Sequence, residues 1–201
     1  MPDDSGLHSK PGTAALFSDG RIRWAENVFG GFADKNILEL GPLEGAHSYM
    51  MQNAGAKTIT AIEANSRAFL KCLCIKELFD LNRVSFKLGD FVSFLEQNKN
   101  KYDIAIASGV LYHMVDPVKV LDLISRAADR IFIWTHYFDE SVISKNKDIA
   151  HKFGKLETAS YQGLEYRYSS QAYKKALDWS GFCGDRRKTA SGSQKTVLSP
   201  S

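Results

Sequence analysis

Acidic, glycine and aromatic residues recur in this chain just after short apolar runs, and their types suggest a ligand site. The run Asn36-Ile-Leu-Glu39-Leu is followed by Gly41-Pro42-Leu-Glu-Gly45. A glycine turn entering a helix lets a ligand approach the backbone, and the free N–H groups at a helix start suit an anion. The G-x-G-x-x-G dinucleotide fingerprint is absent, and Pro42 withholds one donor. A plain structural turn explains this loop about as well. Glu63 closes the next run, about 20 residues on, the offset at which a carboxylate accepts hydrogen bonds from ribose hydroxyls. Leu88-Gly89-Asp90 ends a third run, where a carboxylate or its flanking amides can bond an adenine amino group. Tyr102 to Ala107 then leads into Ser108-Gly109-Val-Leu-Tyr112-His113, which offers backbone groups, a ring and a base.

These residues need elements to hold them. Phe17 to Phe32 has Ile22, Ala25, Val28 and Phe29 at helical spacing, closed by Gly30 and Gly31. Strand-like runs follow at 36–40, 58–62, 84–88, 102–107 and 130–134. Between them, helical patterns cover 45–54, 65–79, 91–97 and 117–128. Asn65 or Ser66 can cap the second of these helices, whose apolar stripe reads as Leu70, Leu73, Cys74 and Leu78. Asp116 caps the last, with Pro117 at its first position. Strands alternating with helices predict an α/β fold: a Rossmann-like, doubly wound, mostly parallel sheet with helices on both faces. Ligands then bind beyond the carboxyl ends of the strands, which is where the residues above fall.

Taken in order, the four segments resemble the class I S-adenosylmethionine (SAM)-dependent methyltransferases. The resemblance covers roughly Trp24 to Trp134. Gly109-Val-Leu-Tyr112-His113 followed by Asp116-Pro117 is similar to the branch containing tRNA wobble-uridine carboxymethyltransferases and related small-molecule methyltransferases. The resemblance implies SAM as cofactor and assigns roles. Glu39, Gly41, Pro42 and Gly45 would surround its methionine end. Glu63 would hold the ribose, with Ala64 and Asn65 near the adenine. Asp90 and Phe91 would flank the adenine, Ser108 and Tyr112 would touch the methionine part, and Trp24 would correspond to a cofactor-contacting tryptophan. Two departures stand out. Pro42 replaces the usual second glycine. The antiparallel strand pair that normally ends the fold is not evident in composition: either Tyr161 to Tyr168 supplies an edge strand or the sheet is incomplete. The expected organisation is a flexible leader over 1–16, a methyltransferase domain over 17–183 and a polar tail over 184–201, in which only Val197 and Leu198 could anchor.

Methyl transfer to an oxygen or nitrogen of high pKa needs a base. His113 is the first candidate, set against a purely loop-shaping role; His136 is the second, and more readily structural. His47 and His151 read as surface residues. Ser141 to Phe153 reads as a helix or lid, and Gln171 to Trp179 as a helix. Lys plus Arg is 26 and Asp plus Glu is 23, a balance that permits a nucleic-acid partner without arguing for one. Arg186-Arg187-Lys188 with Lys195 reads as a solvated end sooner than an RNA contact. Three cysteines form neither a disulfide framework nor a zinc pattern, so no metal is expected. No run is long enough to span a bilayer, and Met1 to Lys10 is too polar for a signal peptide, so a cytoplasmic place is expected. The leading expectation is a SAM-dependent methyltransferase acting on a small-molecule acceptor. A tRNA-modifying transferase, a SAM-binding protein without turnover and, distantly, a nicotinamide oxidoreductase are the alternatives.

Overall fold

In the computed structural model, residues 15–135 are described throughout, and beyond them the backbones of four strands at 158–161, 164–167, 182–188 and 194–200. The first helix is shorter than its apolar pattern. A 3-10 turn over Leu16–Ser18 precedes α1 (Gly20–Phe29). Asp19 separates them, because its carboxylate accepts from the Arg21 N–H and starts the helix there. Gly30, at φ 74°, ends it. Val28, placed by periodicity on the apolar stripe, is exposed; Ile22, Ala25 and Phe29 are buried.

Five strands alternate with helices as expected: β1 (Asn36–Leu40), α2 (Ala46–Asn53), β2 (Thr58–Glu63), α3 (Ser66–Leu78), β3 (Val84–Leu88), α4 (Phe91–Gln97), β4 (Tyr102–Ser108), α5 (Pro117–Ala127) and β5 (Ala128–Thr135). Asn65 caps α3 and Asp116 caps α5. The five pair in parallel in the order β3-β2-β1-β4-β5. Successive strand residues serve opposite faces. Ile37, Ile59, Ile104, Ile106 and Phe132 pack with α1, Met51 of α2 and Ile75 of α3. Leu38, Leu40, Ala105 and Ile133 pack with Leu95 of α4 and with Val120, Leu121 and Ile124 of α5.

One helix turns a different face inward from the one expected. On α3 the buried residues are Ala68, Cys72 and Ile75, while Leu70, Leu73, Cys74 and Leu78 lie outside. The helix carries two apolar arcs, and periodicity alone does not say which meets the sheet. The smaller residues Ala68 and Cys72 let α3 sit close against it.

The C-terminal segments supply the antiparallel pair that the composition hides. β6 (Thr158–Tyr161) and β7 (Leu164–Arg167) form a separate hairpin instead of an edge strand. β8 (Phe182–Lys188), which starts two residues before the segment read as a polar tail, and β9 (Gln194–Pro200), inside it, complete a seven-stranded sheet, with β9 antiparallel to β5. Val197 and Leu198 stand in register with Phe132 and Ile131, so the one apolar stretch of the tail meets the apolar centre of β5. The expected helices over 141–153 and 171–179, and His136 and His151, lie outside the described residues.

Candidate active site

All five parallel strands end on one edge of the sheet, and strand order reverses between β1 and β4. The loops after these strands surround the crevice such a reversal opens.

The loop after β1 is stitched to β2. The Gly41 N–H donates to the Ile62 carbonyl at 2.9 Å, and the Leu43 N–H donates to Glu63 Oε2 at 2.9 Å. Leu43 takes φ 56° and is exposed. Pro42 is buried, and its carbonyl accepts from the Gly45 N–H at 2.9 Å. Gly45 precedes α2 at φ 77°, where a Cβ would stand 3.2 Å from Phe86 Cζ and 3.5 Å from Cys72 Cα. Glycine is required there by conformation and by space.

Glu63 is buried, and each of its oxygens already accepts one N–H: Oε2 from Leu43 and Oε1 from Asn65 at 2.8 Å. A carboxylate oxygen has a second lone pair, so both retain capacity for a hydroxyl. Ala64 and Asn65 are exposed beside it, and the Asn65 side chain is occupied in capping α3. Asp90 is likewise a cap: its oxygens accept from the Val92 and Ser93 N–H groups at 3.1 Å and from Ser93 Oγ at 2.9 Å. Partial burial alone would raise its carboxyl; these hydrogen bonds overcome that and hold it below the ordinary range. Phe91 is buried in the core with Leu95.

The strongest polar feature centres on Glu39, near the end of β1. Its side chain is 1% exposed. Ser48 Oγ, from α2, donates to Oε2, while Oε1 makes no hydrogen bond. Burial pushes this carboxyl above its ordinary range, and the nearby charge of His47 and the Ser48 hydrogen bond oppose the shift in part. His47 is not a surface residue: its side chain is only 13% exposed. Its position in the first turn of α2 sets the ring between two acids. Nδ1 stands 3.7 Å from Glu39 Oε1, and Nε2 lies 2.9 Å from Asp19 Oδ2. Burial would raise the Asp19 carboxyl, but hydrogen bonds from His47 and Arg21 outweigh it and hold it well below the usual carboxylate range. Asp19 is therefore an acceptor, and His47 Nε2–H is the donor.

At the end of β4, Ser108 Oγ is buried and makes no hydrogen bond. Gly109, at φ 81°, donates its N–H to the Trp134 carbonyl at 2.7 Å, and Tyr112 Oη lies over it, 3.1 Å from where a Cβ would be. Tyr112 and His113 share the 3-10 turn Leu111–His113, their rings 4.3 Å apart. Trp134, at the end of β5, meets Tyr112 edge-on at 6.4 Å and carries the Arg21 guanidinium 4.5 Å above its ring. Trp24 packs instead on Phe132 in the α1 face of the sheet, 5.9 Å between rings.

The strand ends thus bring together Glu39, Gly41, Pro42, Gly45, Glu63, Ala64, Asn65, Asp90, Ser108, Tyr112 and His113. Phe91 lies inward as core, and Trp24 joins the α1–sheet packing. Asp19, Arg21, His47, Ser48 and Trp134 complete the polar site but carry no expected role in it. The spacing of His47 and Ser48, directly after a glycine turn, places them on the first turn of a helix over the strand end, and that was the available signal. Nothing in the sequence links Asp19 to Glu39.

Among the described residues no cluster of three or more His, Cys, Asp and Glu side chains is placed to hold a metal ion. No described helix is long and apolar enough to cross a membrane.

Residues 32–175 match the model of a family described as "Methyltransferase domain". A tRNA U34 carboxymethyltransferase of Campylobacter hominis is 27% identical over 108 residues, covering 52% of this chain and 37% of that protein. The chain thus spans little more than a third of the length of this curated relative. Among solved structures, the N-terminal domain of EvdMO1, crystallised with SAH and D-fucose, superposes with a TM-score of 0.67 at 18% identity, over 96% of this chain and 88% of that one. Magnesium protoporphyrin IX methyltransferase from Synechocystis PCC 6803, with bound SAH, gives 0.65 at 19% identity, over 90% and 80%. With its reversed strand order, its glycine-turned loop after β1 and a family match across most of its length, the chain belongs to the methyltransferase-domain family.

Proposed function

We propose that the chain is a SAM-dependent methyltransferase acting on an oxygen or nitrogen of a small-molecule acceptor. One observation carries the cofactor assignment. Glu39 Oε1 and Ser108 Oγ, on the adjacent strands β1 and β4, are buried polar atoms with no hydrogen bond among the described residues, and such atoms call for a partner. An amino acid's ammonium group offers the missing donors and the charge that a buried carboxylate lacks. The residues therefore fit the group: Glu39 and Ser108 toward its methionine end, Glu63 toward the ribose, and Asn65 and Asp90 toward the base.

When bound, SAM supplies an electrophilic methyl on a sulfonium, so the hardest chemistry belongs to the cofactor. The chain's task is to orient an acceptor, exclude water and take a proton. His113 follows β4 beside Tyr112, where an acceptor would approach, and its imidazole receives the acceptor's proton. Tyr112 and Trp134 wall that side.

The test of the cofactor is thermal unfolding with and without S-adenosylhomocysteine, with NADH as control. At 100 times Kd, binding adds about 2.7 kcal/mol, which for a chain of this size raises Tm by roughly 5–10 °C. An equal response to NADH, or none to either, refutes the reading. For the base, His113→Gln lowers kcat by about 10²-fold or more and flattens the acidic limb of the pH–rate profile. An unchanged kcat leaves His113 with a loop-shaping role.

The relative named for tRNA supports a second reading, in which the acceptor is tRNA. That reading requires tRNA binding that weakens steeply with salt, and undetectable binding at low salt excludes it. A chain that binds cofactor but yields no methylated product across a broad acceptor screen would be a binding protein without turnover.

A further inference from the structure

α3 is apolar on two opposite arcs, a pattern belonging to a helix covered on both sides. Its inner arc, Ala68, Cys72 and Ile75, meets the sheet. Its outer arc holds Leu70, Leu73 and Leu78, exposed by 61%, 37% and 48%, together with exposed Cys74. Singly exposed leucines are ordinary. Three leucines and a cysteine within about two and a half turns of one helix face form a patch. Among the described residues nothing lies over it.

The charges on the same face say what covers it. Arg67, Leu70, Cys74 and Glu77 follow one another at intervals of three, four and three residues, the alternating seam of a helix pair. A basic residue begins the seam and an acidic one ends it. A strongly acidic or basic partner would find one end hostile. An identical helix running in parallel would set Arg67 on Arg67 and Glu77 on Glu77. An identical helix running antiparallel sets Arg67 opposite Glu77 and Leu70 opposite Cys74, each pair occurring twice by symmetry. Leu73 and Leu78 flank the seam on its two sides. Lys71 lies off it, tied to Glu44.

We propose that the outer face of α3 is a self-association surface, on which two copies of this chain pack α3 against α3 antiparallel about a two-fold axis level with Cys72. The inference stands apart from the cofactor reading. The arrangement buries a helix face that the described residues leave apolar and exposed.

The test is sedimentation velocity of the full chain across a wide concentration range. A reversible dimer is expected, and Leu70→Glu should leave only monomer. Glu77→Arg should weaken the dimer by about tenfold or more, and adding Arg67→Glu should restore it to near the original strength. Both charges are exposed and form none of the ion pairs of the described residues, so the charge exchange tests the interface even if Leu70→Glu disturbs folding. Leu70→Cys should also form an intermolecular disulfide with Cys74 under mild oxidation. A wild-type chain that stays monomeric at every concentration overturns the proposal. So does a dimer that neither Leu70→Glu nor the charge exchange affects. A dimer broken by Leu70→Glu but not restored by the exchange overturns the antiparallel packing.

Discussion

Replacing Glu39 by Gln separates the cost of burying this carboxylate from the role proposed for it in cofactor binding. The substitution keeps shape and volume and removes a charge. In the free protein Glu39 is fully buried, one oxygen held by Ser48 and the other without a hydrogen bond. An ionised carboxylate in that position pays a desolvation penalty that a neutral amide largely avoids. Glu39→Gln should therefore leave the stability of the free chain unchanged or raise it by about 1 kcal/mol, with Tm unchanged or higher. The pH dependence gives the sign independently. Burial raises the Glu39 carboxyl in the folded state above its ordinary value of 4.5. Its contribution is thus fully present below the unfolded value and is lost as pH rises through the folded one. The wild type should lose stability relative to Glu39→Gln as pH climbs from the unfolded carboxylate range toward neutrality. Cofactor binding should move the opposite way. A charge-assisted hydrogen bond to an ammonium contributes about 1.5–3 kcal/mol, so S-adenosylhomocysteine affinity should fall about 10- to 150-fold. Calorimetric titration and paired melting curves measure both. If the variant binds as tightly as wild type, or the free chain melts lower, Glu39 does not face the cofactor as an under-satisfied acid.

Other outcomes follow from the same geometry. Asp19→Asn keeps an oxygen to cap α1 but loses the charge-assisted hydrogen bonds to Arg21 and His47; urea unfolding at neutral pH should show a loss of about 1–2 kcal/mol. Because the Asp19 carboxyl is held low in the fold, its contribution is present above the unfolded carboxylate range and fades as pH falls, so the gap to Asp19→Asn should narrow in acid. Gly45→Ala forces a side chain into the left-handed region and against Phe86 and Cys72, and should destabilise by about 2–4 kcal/mol. Burial pushes the Cys72 thiol up to about 12, and the charges of Glu39, Glu63 and Glu44 add to this. Peptide mapping after iodoacetamide at pH 8 should find Cys72 unmodified in the native chain and modified in denaturant.

The parallel sheet was legible because each strand is a short apolar run, closed in β1 to β4 by glycine or an acid, and each helix but the first begins near its expected residue. The placement of the candidate site residues was legible for the same reason, since the sheet rule points to whatever follows a strand. What could not be read depends on tertiary packing. His47 looks like a polar residue near a helix start until Asp19, 28 residues away, is seen to accept from it. Asp90 and Asn65 have the residue types of ligand contacts, and those same types make good helix caps, a second use of their side-chain oxygens that the sequence does not announce. The α3 stripe was assigned to the wrong side because both arcs are apolar. β8 and β9 were hidden because cross-strand pairing with β5, more than their own composition, makes them strands.

The stitching between neighbouring loops has a kinetic consequence. Gly41 is bonded to Ile62, Leu43 and Asn65 to the two oxygens of Glu63, Gly89 to the Glu63 carbonyl, and Gly109 to Trp134. Every strand-end turn from β1 to β4 that would receive a ligand is thus fixed to its neighbour before any ligand arrives. Capture then requires no ordering of these turns, so the encounter rate should respond to solvent viscosity as a diffusive event does. On the proposed function, slow steps in the cycle would have to come from acceptor entry or product departure, and not from assembly of the turns that would receive the cofactor.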